Sequence, residues 1–282
     1  MPKAIRVHQT GGAVKLIWED FDPGAPGPGE VRLKQTSIGV NFLDIYHRAG
    51  THHIPLAPLP AVPGVEGAGV VEALGEGVGD VSVGDRVAYP ITVGSYAEVR
   101  IIPAVDLVPV PDNISDDVAA AIMLKGMTTE YLLNGITQIK QGDTVLIHAA
   151  AGGVGLIACQ WAKHLGAIVI GTCGSDEKAE LISANGCDHA IVYTRKDFAA
   201  RVKDITDGKG CRAVYDSVGK DTFMGSLSCV APYGTVACFG LASGPLPSFG
   251  FADLPMSSYV TRASVRSVTH PRAALLKSSA AL

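Results

Sequence analysis

The chain has 282 residues, 47% of them hydrophobic and 18% charged, enough for a large core and two domains. A formal charge of −4 gives no broad attraction for phosphate backbones or anionic lipid, so nucleic acid and membrane surfaces are poor partners on composition. The start, MPKAIRVHQTGG, lacks a basic segment followed by an apolar core, and no apolar run reaches the roughly 20 residues a bilayer requires, so a cytoplasmic location is expected.

Residues 1 to 113 are short apolar segments broken by Gly and Pro, as in PGAPGPGE and LGEGVGDVSVGDRVAYP, which predicts a strand-and-turn domain. GVVEAL and DRVAYPI read as strands, with Gly84 and Asp85 in the turn between them. At Ser115 the texture changes. Ser115 is placed to cap a helix whose first turn carries Asp116 and Asp117, and apolar periodicity continues to Leu133. The domains are accordingly drawn at 1–122 and 123–262, with 263–282 set apart.

From Thr144 the chain alternates. Strands TVLIHA, IVIGT, HAIVY, RAVYDSV, GTVACFG and SSYVTR are separated by helices at 153–165, 176–184, 197–205 and 221–230, which predicts an α/β doubly wound parallel sheet of the Rossmann type. Ligands of such sheets bind beyond the carboxyl ends of the strands. Gly152, Gly153, Cys173, Gly174, Tyr193, Ser217 and Gly240 therefore fall on one rim, and Phe239, beside Gly240, is counted with the cofactor-binding residues. The six cysteines, Cys159, Cys173, Cys187, Cys211, Cys229 and Cys238, have no CxxC spacing and read as buried reduced thiols.

The loop AAAGGVG closes a strand and opens a helix. Gly152, Gly153, Val154 and Gly155 let bare amides approach a pyrophosphate at a helix N-terminus, although the first glycine of GxGxxG is missing. A tight turn for helix packing is the plainer alternative. The acid usual at the end of the second strand in NAD sites is also missing; the chain offers Cys173, Gly174 and Ser175, with Lys178 one turn on. This favours the 2′-phosphate of NADPH, unless Lys178 is simply a solvated helix lysine.

The stretches IGVNFLDIYHRAG, PGVEGAGVVEALGEGV, VGDRVAY, LKGMTTEYLL, HAAAGGVGLIACQWAKHLGA and VYDSVG resemble, in family order, the medium-chain dehydrogenase/reductase superfamily and its zeta-crystallin-like NADPH:quinone oxidoreductases. The resemblance implies a GroES-like, β-rich catalytic domain joined to a Rossmann domain, and a homodimer formed through the edge of the Rossmann sheet. Zinc-dependent members carry ligands where this chain has Asn41, Val65 and Leu124, and the segment 91–103 has no cysteine-rich lobe, so no metal is expected. The adjacent His52 and His53 do not converge as a helical ligand pair would.

Reduction of an electron-poor acceptor, a small quinone, is the expected reaction: hydride from NADPH plus a proton gives the hydroquinone. Asn41 and Tyr46 are the candidates beside the nicotinamide, Asn41 for its carboxamide or a quinone oxygen and Tyr46 as donor to the developing oxyanion. The plain alternative for them is a capped turn and a packed aromatic. Asp44 is expected to orient Tyr46 or Arg48, and Glu66 to bond within its own turn. By resemblance Lys125 and Thr128, three apart on the linking helix, reach the nicotinamide end, against a surface lysine and a packing threonine. Tyr193 is placed for adenine or the 2′-phosphate.

The resemblance also implies a longer C-terminal segment returning to the catalytic domain, so the tail ASVRSVTHPRAALLKSSAAL is expected to be atypical. Two competing readings stand beside quinone reduction: NADPH-dependent reduction of an enal or enone C=C bond, and a nucleotide-binding protein without turnover.

Overall fold

The computed structural model describes residues 1–51 and 58–282; His52 and His53 lie outside the described residues. Two compact units divide the chain, Met1–Met127 with Val265–Leu282, and Thr128–Ser264. The division falls inside the linking helix, a little beyond residue 122.

In the first unit, strands β1 (Lys3–Arg6) and β2 (Ile17–Asp20) pair antiparallel. Strand β3 (Glu30–Gly39), helix α1 (Phe42–Ala49), and strands β4 (Glu66–Leu74), β5 (Arg86–Tyr89), β6 (Val99–Pro103) and β7 (Val108–Pro109) follow. They build a five-stranded antiparallel sheet in the order β6-β3-β4-β5-β7. Alternation drives it: Val31 and Leu33 on β3 are fully buried while Lys34 is exposed, and they pack with Val71, Val87 and Ile102.

The linking helix is α2 (Asp116–Glu130). Ser115 Oγ accepts the Val118 amide at 3.3 Å, and Asp116 and Asp117 occupy the first turn, where they complement the helix dipole. Beyond Glu130 the chain continues as a π-helical segment, Tyr131–Ile136. Its end is secured by Thr137, whose amide and hydroxyl both donate to Leu132 O, at 3.3 and 2.8 Å.

The second unit carries β8 (Thr144–Ile147), α3 (Gly153–His164), β9 (Ile168–Cys173), α4 (Asp176–Ala184), β10 (His189–Val192), α5 (Phe198–Ile205), β11 (Cys211–Asp216), α6 (Phe223–Cys229), β12 (Val230–Cys238) and β13 (Tyr259–Arg262). The six strands are all parallel, in the order β10-β9-β8-β11-β12-β13. Both faces are covered, so the central strands read as continuous apolar runs: Val145 and Ile147 belong to one core and Leu146 to the other. Chain order reverses between β8 and β11, which puts the switch point where the glycine loop leaves β8. Gly155 has no alternative there: a Cβ would lie 2.5 Å from Ala149 O and 2.6 Å from Ala150 Cα.

The tail completes the first unit with α7 (Arg266–Thr269) and α8 (Arg272–Ser279). Val265 and Leu275 are buried in a core with Met123 and Met127. The guanidinium of Arg272 donates to Ala104 O, Val105 O and Leu107 O at 3.0, 3.0 and 2.8 Å and pairs with Asp80 at 3.3 Å. The segment expected to be atypical is thus docked by apolar burial and a multiply bonded arginine. All six cysteines are buried free thiols. Among the described residues, no helix is long and apolar enough to cross a membrane.

Candidate functional site

Two polar constructions stand out, one in each unit. The first gathers around Glu66, whose side chain has no exposed surface. Glu66 sits at the head of β4, and the small residues beside it let other segments close in. Gly39 at the end of β3 is so close that a Cβ would meet Glu66 Oε2 at 2.2 Å and Ala120 O at 2.4 Å. Three donors converge on the carboxylate: the Leu124 amide at 2.7 Å, Lys125 Nζ at 2.8 Å and Asn41 Nδ2 at 2.9 Å. Glu66 therefore ties the entry of α1 to α2 rather than bonding within its own turn. A buried charge held this way is compensated by an ammonium and by two further hydrogen bonds.

Asn41 and Lys125 are consequently held on one anion. Asn41 gives one amide hydrogen to Glu66, which leaves it a second N–H. Val65 and Leu124, at the other two places where zinc-dependent members carry ligands, are apolar core residues. Among the described residues, no group of three or more His, Cys, Asp or Glu side chains could hold a metal ion.

Asp44, expected to orient Tyr46 or Arg48, has different partners. Its Oδ2 accepts the Asn41 amide at 2.8 Å and the Tyr96 hydroxyl at 2.9 Å, while Arg48 Nε donates to Gly11 O at 3.1 Å. The partner it takes instead, Tyr96, is a loop residue 52 positions away. Burial pushes the Asp44 carboxyl up to about 6, against the pull of the Asn41 and Tyr96 hydrogen bonds, and nearby Glu66 adds to the rise. Its Oδ1 is buried with no hydrogen-bond partner. Tyr46, half-buried on α1, has its ring 6.1 Å from that of Phe42. Val40, Phe42 and Ile45 around Asn41 and Tyr46 are exposed apolar side chains.

The second construction is the carboxyl rim of the parallel sheet. Gly152 is the N-cap of α3 and has no side chain to cap it, so the first amides of the helix, from Gly153, Val154 and Gly155, are presented without an intrahelical acceptor. These residues fit a pyrophosphate. Gly174 and Ser175 leave β9, and Tyr193 leaves β10 beside them; the Tyr193 amide donates to Cys173 O at 3.1 Å. A Cβ on Gly174 would lie 3.0 Å from the Tyr193 hydroxyl. Ser175 Oγ caps α4 through the Lys178 amide at 3.3 Å, and Lys178 is exposed. Ser217 and Gly240 stand close together just beyond the ends of β11 and β12, with Ser217 O 2.6 Å from where a Gly240 Cβ would be. Phe239 packs on the core of that face. Thr128 is nearly buried on α2.

A buried network that the sequence did not suggest fixes this rim. Asp216 at the end of β11 accepts the Val218 and Gly219 amides at 2.9 and 3.0 Å, the Thr222 hydroxyl at 2.8 Å and the Ser226 hydroxyl at 2.7 Å. Ser226 lies 3.1 Å from His148 Nε2, and His148 Nδ1 lies 3.0 Å from the Thr172 hydroxyl. The ends of β8, β9 and β11 are thereby joined. Burial lowers the His148 pKa, with the charge of Asp216 opposing, so the neutral ring is favoured. A polar HxA after an apolar strand and a lone Asp ending VYD were the available signals.

The raised pKa of Asp44 has a signed consequence for stability. The folded chain favours the neutral acid, so its stabilising contribution is complete below the ordinary carboxylate value and is lost as pH rises through about 6. A rise of that size is worth about 3 kcal/mol. Denaturant midpoints of the wild-type chain and of Asp44→Asn, which is neutral at every pH, should diverge between about pH 4 and 6.5, the variant gaining relative stability as pH rises, and should run parallel above that. Profiles parallel throughout would contradict the shift.

Residues 27–112 match the alcohol dehydrogenase GroES-like domain and residues 153–277 the family described as zinc-binding dehydrogenase. A 2-haloacrylate reductase from Burkholderia sp. is 51% identical over 248 residues, covering 86% of this chain and 74% of that protein. A quinone oxidoreductase from Pseudomonas aeruginosa is 48% identical over 270 residues, covering 95% and 82%. The crystal structure of Escherichia coli quinone oxidoreductase complexed with NADPH matches with a TM-score of 0.95 at 40% identity, covering 99% of this chain and 86% of that one. The chain belongs to the medium-chain dehydrogenase/reductase family, among relatives named quinone oxidoreductases.

Proposed function

We propose that the chain is a cytoplasmic NADPH-dependent quinone reductase working without zinc. The observation that carries this reading is the cluster on Glu66: where zinc-dependent members place ligands, this chain has Asn41 and two apolar residues, and beside them the Lys125 ammonium, 19% exposed. An amide and an ammonium fixed on one buried carboxylate suit an acceptor oxygen that gains negative charge. The exposed apolar side chains Val40, Phe42 and Ile45 suit a flat, apolar acceptor.

Bound NADPH supplies the hydride, and one proton from the protein or solvent completes the hydroquinone. The Gly153 to Gly155 amides hold the pyrophosphate; Ser175, Lys178 and Tyr193 hold the 2′-phosphate end, and Gly174, Ser217, Phe239 and Gly240 line the same rim. Lys125 and Thr128 serve the nicotinamide end. Tyr46 and Lys125 donate hydrogen bonds to the acceptor oxygen, and Asn41 orients the carboxamide or that acceptor. Asp44 positions Asn41 through its amide. The 2-haloacrylate reductase relative favours a second reading, hydride delivery to an activated C=C bond in the same site.

A second copy of this chain is the proposed protein partner. Among the described residues, strand β13 ends the sheet and pairs with β12 alone, and Phe251, Met256 and Tyr259, on and before it, are strongly exposed.

Two measurements test these readings. NADPH consumption should be fast with 1,4-benzoquinone and slow with 2-chloroacrylate, and NADH should serve at least tenfold less well in kcat/KM; fast 2-chloroacrylate turnover with inert quinone would establish the second reading instead. Light scattering of the full chain at micromolar concentration should give twice the 29.2 kDa chain mass, and a monomer would refute the dimer.

A further inference from the structure

The sequence lacks an acid at the end of β9, yet the rim is not free of acids. Asp176, the first residue of α4, stands one position beyond Ser175. Left alone, its carboxylate would repel a 2′-phosphate and would accept a ribose hydroxyl, which is the behaviour of an NADH site. It is not left alone: Arg195 Nη2 forms an ion pair with Asp176 Oδ1.

Arg195 reaches that place because β9 and β10 end side by side, Val192 opposite Cys173. The turn after β10 then folds back. The Arg195 and Lys196 amides both donate to Val192 O, at 3.1 and 3.2 Å, and the Thr194 hydroxyl donates to Gly174 O at 3.4 Å. The segment carrying Arg195 is thus fastened to the segment carrying Gly174, Ser175 and Asp176. Both members of the pair are more than half exposed, with 57% and 68% of their side-chain surfaces open. A pair so solvated contributes little to stability. It does leave a forked guanidinium available on the rim, and a phosphate monoester carries about −1.5 to −2 charges with three acceptor oxygens.

We propose that Arg195 determines the choice between NADPH and NADH: it neutralises Asp176 and turns its fork to the 2′-phosphate, and without it Asp176 becomes the ribose-binding acid of an NADH site. The proposal rests on the reading of this rim as an NADPH site. Lys178, exposed in the first turn of α4, serves as a second, point-like cation.

Calorimetric titration of the full chain with adenosine 2′,5′-bisphosphate and with 5′-AMP tests it by binding alone. The wild type should prefer the bisphosphate by at least tenfold. Arg195→Gln should weaken the bisphosphate about tenfold and bind 5′-AMP at least as tightly as the wild type does, and adding Asp176→Asn to that variant should restore part of the bisphosphate loss, the rest being the guanidinium's own contact with the phosphate. Equal affinity of the wild type for both probes would sink the NADPH reading, and this proposal with it. A preference that persists undiminished in Arg195→Gln would overturn the role of Arg195 while leaving the NADPH reading in place. Absence of rescue by Asp176→Asn would overturn the neutralising role.

Discussion

A carboxylate with no exposed surface must have its charge answered by donors that are themselves held still, and Glu66 imposes that condition on the first unit. Its three donors come from the entry of α1 and the middle of α2, up to 59 positions from Glu66 in sequence, and they meet only when the sheet is formed. Removing one partner of a buried pair costs roughly 3 to 5 kcal/mol because the other charge is left stranded. The same interaction that is costly to break fixes the Asn41 amide and the Lys125 ammonium, two of the groups proposed to orient and polarise the acceptor. Structure and chemistry are thus coupled at one side chain.

The second unit meets a comparable demand differently. Its rim needs loops at the ends of β8, β9 and β11 to stay in place while bare amides point outward. Apolar packing cannot hold loops at a sheet edge. Asp216, Ser226, His148 and Thr172 do so through a chain of buried hydrogen bonds. A fully satisfied buried network of this kind rigidifies what it joins. Around it, the Arg195 and Asp176 pair stays exposed, where it can exchange partners.

Much of this is legible in the sequence wherever a short-range pattern encodes it. The six parallel strands follow from apolar runs alternating with helical periodicity, and the anion cradle from glycines between a strand and a helix. Ser115 announces α2 by its own chemistry. The partners of Asp44 are not legible, because Tyr96 lies 52 residues away and no local spacing points to it. Glu66 does carry a signal, an acid alone within the apolar run GVEGAGVV, but which donors answer it depends on packing. The missing acid after β9 shows as an absence at Cys173 to Ser175; Asp176 escapes that pattern because it already belongs to the helix, and its neutralisation by Arg195 is a tertiary fact. The tail looks irregular because its helices are short; burial of Val265 and Leu275 and the bonds of Arg272 hold it.

The turnover of Glu66→Gln relative to its NADPH affinity, measured on folded protein, is the most direct test of the central claim. Glutamine keeps one acceptor oxygen but loses the charge that holds Lys125, and in either orientation its NH2 meets a donor, the Leu124 amide or the Lys125 and Asn41 pair, so the fixed placement is lost. The expected result is a fall of at least a hundredfold in quinone turnover, with the NADPH dissociation constant within threefold of wild type. Folded Glu66→Gln protein that turns over within twofold of wild type would contradict it.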